Sequence, residues 1–205
     1  MLITEFNVVG QNVRISVDGG FWDEIPYLIA FDFRLNKGSE VDDSLLVNVK
    51  QKADEKNAFD YAVKYLSRYS VTAKRLKQKL YEKEYNKSVV ENVAAKLLDL
   101  KYLDDYAFAE NLVASKSKKL GKRRLKSELL NKGVGSDIID EVLETLDNDD
   151  MFYTAMTVAE KWYRSHELVT IQDSQKFFRF MAYRGFDYDL INRCREVLKF
   201  GKDDW

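Results

Sequence analysis

The chain has 205 residues with one proline, Pro26, and nine glycines; 45% of residues are apolar, 33% are charged, and the net charge is −1. Pro and Gly fall far below the roughly 12% of an average protein, which excludes collagen-like, Pro-rich and low-complexity chains and disfavours an all-β fold of tight turns. Twelve Phe, twelve Tyr and three Trp supply enough apolar area for packed cores and exclude disorder, while the near-cancelled charge, taken as a total, argues against a nucleic-acid binder.

From the N-terminus, LITEFNVVG and NVRISVD are β-rich runs joined at Gly10-Gln11-Asn12, which predicts a hairpin ending at Asp18-Gly19-Gly20. A short helix is expected over Glu24 to Phe31, with Pro26 tolerated in its first turn. Asn36-Lys37-Gly38 makes a turn, after which Asp42 caps a helix through Leu46 and Val49. The chain opens without a basic, apolar leader and holds no eighteen-residue apolar window, so a soluble, cytoplasmic protein is expected. A single cysteine, Cys194, and a single histidine, His166, allow neither an internal disulfide nor a zinc site of recognised spacing.

From Ala58 onward the sequence repeats. Three blocks align without gaps, RLKQKLYEKEYNKSVVENVAAKL (75–97), RLKSELLNKGVGSDIIDEVLETL (124–146) and KFFRFMAYRGFDYDLINRCREVL (176–198). Their shared apolar columns run from Leu76/Leu125/Phe177 and Leu80/Leu129/Met181, through Tyr85/Val134/Phe186, to Val93/Val142/Cys194 and Leu97/Leu146/Leu198. The spacing predicts two amphipathic helices joined by a turn in each block. Thr72, Gly121 and Asp173 are the expected caps of the first helix, and Ser88, Asp137 and Asp189 those of the second. Lys83-Glu84, Lys132-Gly133 and Arg184-Gly185 fill the turn between them. A further helix precedes each block, over Phe59 to Arg68, Tyr106 to Lys118 and Phe152 to Arg164. The fold expected is mainly α: an N-terminal β-hairpin with short helices over 1–57, then three tandem three-helix repeats over 58–103, 104–150 and 151–205, in an elongated, curved array.

The strings YLSRYSVTAKRLKQKL, KYLDDYAFAENLVASKSKKLGKRRLKSELLNKGV and AYRGFDYDLI resemble the RecX family of RecA regulators, most specifically at Tyr102-Leu103-Asp104-Asp105-Tyr106-Ala107-Phe108-Ala109. The resemblance spans Phe59 to Leu198. It departs at Lys101 and Glu84, where the family favours Gly, and at Tyr183, where Arg is common. It implies a non-enzymatic modulator of homologous recombination, tied to DNA repair and the SOS response. Such a protein binds along the groove of the RecA–single-stranded-DNA filament and limits its extension, ATP hydrolysis and strand exchange. The RecA filament is the implied partner, with single- or double-stranded DNA second; a monomer with no membrane contact, no cofactor and no metal is expected.

Charge resolves by segment: −4 over 1–57, +5 over 58–103, −3 over 104–150 and +1 over 151–205. Residues 64–87 carry net +6, residues 116–126 carry seven cations and no acid, and residues 137–150 carry seven acids. Candidate filament or DNA contacts are therefore Arg68, Lys74, Arg75 and Lys77 in the first repeat. In the second they are Lys116, Lys118, Lys119, Lys122, Arg123, Arg124 and Lys126. Lys122, Arg123 and Arg124 are placed in a first helical turn, where cations oppose the helix dipole; that fits anion binding assisted by free N–H groups. Solvated helix faces paired with nearby acids are the plain alternative. Charge alone leaves DNA phosphate and RecA carboxylates equally open, so a DNA-binding module acting without RecA stands beside the regulator reading. A generic helical scaffold is the third.

Tyr61, Tyr65 and Tyr69 form an i, i+4, i+8 stripe, expected to pack and offering base stacking as the alternative. No phosphate-binding loop, dinucleotide fingerprint or H-E-x-x-H motif occurs, and no catalytic residue is assigned. His166 lies in the polar junction Arg164–Glu167 without a nucleophile partner, and Cys194 falls in an apolar column as a core residue.

Overall fold

The structure, a computed structural model, describes residues 1–166 and 170–200. It divides into two compact units, Met1–Leu103 and Asp104–Trp205.

The first unit opens with three antiparallel strands in sequence order, β1 (Ile3–Val9), β2 (Asn12–Val17) and β3 (Gly20–Pro26). In β2, Val13 and Ile15 are buried while Arg14 points out, as alternation demands. Val13 pairs with Val8 and Ile25 in register across the sheet. The third strand corrects the expected helix over Glu24 to Phe31: Asp18-Gly19 is a two-residue hairpin turn, both residues at positive φ, and the chain returns as a strand. Helix begins only after Pro26, as the short α1 (Tyr27–Asp32).

Asp42 caps the next helix as expected, its carboxylate accepting from the Leu45 N–H at 2.7 Å. That helix, α2 (Asp43–Leu66), runs 24 residues without a break, so the boundary expected between residues 57 and 58 falls inside it. Its first half sends Leu46, Val49 and Ala53 into a core with Ile3, Val13, Ile15 and Ile25 of the sheet. Its second half sends Ala58 and Ala62 into a separate core with Leu76 and Leu80 of α3 (Ala73–Tyr81) and Val89, Val90, Val93 and Leu97 of α4 (Lys87–Asp99). Polar contacts tie the helix to α4 as well: Asn92 donates to Glu55 at 2.7 Å, and Gln51 to Ser88 at 3.2 Å.

The second unit holds two more three-helix sets. α5 (Asp105–Lys116), α6 (Lys122–Lys132) and α7 (Ser136–Glu144) enclose Ala109, Val113, Leu125, Leu129, Ile139 and Val142. α8 (Asn148–Tyr163), α9 (Ile171–Tyr183) and α10 (Tyr188–Phe200) enclose Ala155, Trp162, Phe177, Met181, Phe186 and Cys194. Leu146 packs against both cores.

The third helix of every set is preceded by the same three-residue pattern: a left-handed residue, an apolar residue, then an N-cap. It reads Glu84-Tyr85-Asn86, Gly133-Val134-Gly135 and Gly185-Phe186-Asp187, with φ of 64°, 86° and 86° at the first position. The expected caps Ser88, Asp137 and Asp189 are therefore each displaced two residues toward the N-terminus, because the link spends only one residue between the left-handed turn and the cap. The side chains of Asn86 and Asp187 accept from the Val89 and Leu190 N–H groups at 2.9 and 2.8 Å. Thr72 and Gly121 cap as expected. In α9 the cap is Thr170, and Asp173 is its partner in a capping box.

Two of the four non-glycine residues at positive φ among the described residues, Glu84 and Lys101, stand where the RecX pattern favours glycine. Glu84→Gly and Lys101→Gly should each raise the stability of the first unit by about 0.5–1 kcal/mol, relief of the left-handed backbone outweighing the added entropy of the unfolded chain; urea denaturation measures it. Burial pushes the Cys194 thiol up to about 11. At pH 8 roughly one molecule in a thousand carries a thiolate there, so Ellman's reagent should leave the folded protein unmodified and titrate one thiol per chain in denaturant.

Candidate functional site

The sequence nominated eleven cations, and the structure sorts them by what each already touches. In the first unit Arg68 lies just past the end of α2, and Lys74 and Arg75 occupy the first turn of α3; all three are exposed. Arg75 donates to the neutral Gln78 side chain at 3.1 Å, and no ion pair to Arg68 or Lys74 occurs among the described residues. Lys77 is turned inward to Glu91 of α4.

The second unit's basic run is more heavily committed. Lys116 pairs with Glu128 of α6, and Lys126 with Asp140 of α7 at 2.6 Å. Lys122 donates to the Leu146 carbonyl beyond α7 at 2.7 Å and to Asn148 at 3.3 Å. Arg124 lies 3.6 Å from Glu128, with its guanidinium 5.1 Å from the centre of the Tyr183 ring. Lys118, Lys119 and Arg123 remain exposed, with no ion pair among the described residues. Of the seven acids over 137–150, only Asp140 answers the basic run with an ion pair; Asp147 caps α8.

Of the N–H groups expected to be free at the start of α6, those of Arg123 and Arg124 are already bonded, as is that of the Gly121 cap. The Gly121 N–H donates to the Arg184 carbonyl at 2.8 Å, and the Arg123 N–H to the Gly185 carbonyl at 3.2 Å. The Arg124 and Leu125 N–H groups bond back to the Gly121 carbonyl at 3.1 Å. The α6 N-terminus is thus docked on the turn that closes α9, whose carbonyls supply the acceptors its own glycine cap lacks. Approach is backbone against backbone: a Cβ on Gly121 would stand 2.3 Å from the Gly185 oxygen, and one on Gly185 2.2 Å from the Arg124 nitrogen. Helix-end carbonyls also explain the first-turn cations, since the Leu146 carbonyl offers negative charge to Lys122. No sequence period marks this joint, because its two glycines are far apart in the chain and neither belongs to an apolar column.

Tyr61 and Tyr65 are half-buried against the first repeat's core, while Tyr69 lies beyond it, 55% exposed. His166 is exposed and stacks on Trp162, with ring centres 4.5 Å apart and planes 9° from parallel; Glu167, the far end of its junction, lies outside the described residues. Cys194 is buried in the column that contains Val93 and Val142. Among the described residues no helix is long and apolar enough to cross a membrane, and no cluster of three or more potential metal ligands occurs.

Comparison with known proteins matches each helical set to a different family model. Residues 58–97 match the first three-helix domain of RecX, 104–143 the second and 149–194 the third. The regulatory protein RecX of Clostridioides difficile is 32% identical over 201 residues, covering 95% of this chain and 93% of its own. That of Leuconostoc mesenteroides subsp. mesenteroides is 29% identical over 180 residues, covering 86% and 67%. The fold resembles two crystal structures. One, of a regulatory protein RecX, has a TM-score of 0.74 at 22% identity over 95% of this chain and 98% of its own; the other, RecX from Lactobacillus salivarius, has 0.66 at 24% over 72% and 97%.

Gly121→Ala should lower the stability of the second unit by about 2 kcal/mol or more, the cost of parting two backbones that carry hydrogen bonds between them. Gly185→Ala should cost more again, because its φ of 86° is strained for alanine. Denaturant melts of both variants, beside Gly135→Ala as a control whose added Cβ meets only the movable Asp137 side chain, measure the difference.

Proposed function

The chain belongs to the RecX family of regulatory proteins, and on that premise we propose that it regulates the RecA recombinase, mainly as an inhibitor. In this reading it lies along the groove of the RecA–single-stranded-DNA filament and restrains filament extension, ATP hydrolysis and strand exchange. The observation that carries the proposal is the match of all three helical sets, in order, to the three RecX domains. The cations free to make the contact support it: Arg68, Lys74 and Arg75 from the first repeat and Lys118, Lys119 and Arg123 from the second. Lys77, Lys116, Lys122 and Lys126 instead contact residues outside their own helices, and Arg124 pairs with Glu128 within α6 and lies over the Tyr183 ring. A site of exposed, uncompensated cations steers toward anionic surfaces and gives salt-dependent affinity.

Direct DNA binding without RecA is the second reading, favoured by the adjacent exposed Lys118 and Lys119. The two part in a titration of RecA's DNA-stimulated ATP hydrolysis. Regulation of the filament predicts inhibition at protein levels far below the concentration of DNA sites, whereas inhibition only once the protein covers the DNA would replace it with simple competition. Reversing Lys118, Lys119 and Arg123 to Glu should cut inhibitory potency about tenfold or more. If phosphates are what they meet, neutralising the three should flatten the slope of log affinity against log salt by about 2. Reversing Lys122 and Arg124 should instead act through stability.

A further inference from the structure

The end of α2 and the start of α3 combine exposed cations with aromatic rings. From Tyr61 to Tyr81 there are six cations and no carboxylate. Lys77 and Lys79 are paired with Glu91 and Glu82 from outside this stretch, which leaves Lys64, Arg68, Lys74 and Arg75 exposed with no ion pair among the described residues. Through this basic field runs a ladder of rings. Tyr61 and Tyr65 stack with centres 6.2 Å apart and planes 15° from parallel, and Tyr65 and Tyr69 follow at 4.9 Å and 39°. Tyr61 and Tyr65 rest on the core, and Tyr69 extends the ladder into solvent. Lys64 and Arg68 stand one residue before Tyr65 and Tyr69, so each of these two rings has a cation as its chain neighbour.

The third repeat shows what a purely structural stack at this position looks like. Ala58 and Ala62 in α2 correspond to Ala155 and Ala159 in α8, all fully buried; on that alignment Tyr65 and Tyr69 correspond to Trp162 and His166. There the Trp162 ring is sealed by Phe177 at 5.2 Å and Phe180 at 6.1 Å and is only 8% exposed. In the first repeat the aligned positions are Leu76 and Lys79, so the aromatic lid is missing and a cation stands in its place.

We propose that Tyr69, tilted against Tyr65 and accompanied by the exposed cations Lys64, Arg68, Lys74 and Arg75, is a binding site for single-stranded nucleic acid. The exposed ring continues onto an unstacked base and the four cations hold the phosphates on either side. A duplex does not satisfy this surface, because its bases are already stacked and their faces closed. Three of its cations, Arg68, Lys74 and Arg75, are also proposed to meet the filament, so the test of this site contains no recombinase and turns on Tyr69.

The measurement is fluorescence anisotropy with labelled oligo(dT) of about twenty nucleotides, its abasic counterpart of equal length and a duplex of equal length. Wild-type protein should bind oligo(dT) at least about fivefold more tightly than the abasic strand. Tyr69→Ala should erase that preference while leaving abasic binding unchanged, Tyr69→Trp should keep it, and Lys74→Glu with Arg75→Glu should weaken both strands. Equal binding of dT and abasic strands by the wild type would overturn the proposal, as would a Tyr69→Ala loss shared equally by both, or a duplex bound as tightly as the single strand. Circular dichroism and urea melts of Tyr69→Ala check that the fold is intact. Its retained inhibition of RecA ATP hydrolysis would separate failure of this site from failure of the regulator reading.

Discussion

Each of the three helical sets turns on one residue of left-handed backbone. Helices two and three are too short to bury an apolar face alone, so the chain must reverse within a few residues and bring both faces to one core. A left-handed residue at or just past the end of the second helix reverses the chain, the next residue drops an apolar side chain (Tyr85, Val134 or Phe186) against that core, and the third caps the new helix. Two of the three sets use glycine at the hinge, where positive φ costs nothing sterically. The first tolerates Glu84 and stores the cost.

The same geometry performs a second task in the last set. A left-handed turn presents carbonyls outward as the helix ends, and around Gly185 those carbonyls accept the amides at the beginning of α6. One helix end thus satisfies another, donors against acceptors and positive dipole against negative. The cations of the α6 first turn, anomalous for an isolated helix, become ordinary once Leu146, Glu128 and Tyr183 are seen around Lys122 and Arg124. Of the cations nominated from the sequence, those left without an ion pair among the described residues lie at turns and helix ends rather than along helix faces.

Much of this was legible in the amino-acid sequence, and the reasons differ from element to element. The repeats were readable because burial is periodic: Leu76, Leu125 and Phe177 hold one column and Val93, Val142 and Cys194 another, and all six are buried. Cap positions were off by two residues because Ser88, Asp137 and Asp189 are good capping types lying just inside helices already begun. The third strand was hidden by its own composition. Only Ile25 of β3 is buried, so no alternation announces it, and Asp18-Gly19 suits the end of a hairpin as well as the turn into a further strand. The join of α2 was obscured by the polar stretch Gln51-Lys52-Ala53-Asp54-Glu55-Lys56-Asn57, which has the composition of a linker but forms helix, bridged by ion pairs such as Lys52 to Glu55. For the candidate site, sequence located the basic runs but not the division between structural and free cations, since that depends on partners such as Leu146 that sequence spacing does not bring together.

The unbroken length of α2 bears on what counts as a separable part. Residue 58, where the first RecX domain match begins, sits mid-helix, with the sheet's core on one side of it and the first repeat's core on the other. A fragment cut there would begin as a severed helix without its Asp42 cap and without the Gln51 and Glu55 side chains that meet Ser88 and Asn92. The strand meander is therefore no detachable appendage: it shares one structural spar with the first repeat, and a cut at residue 58 breaks the spar of both.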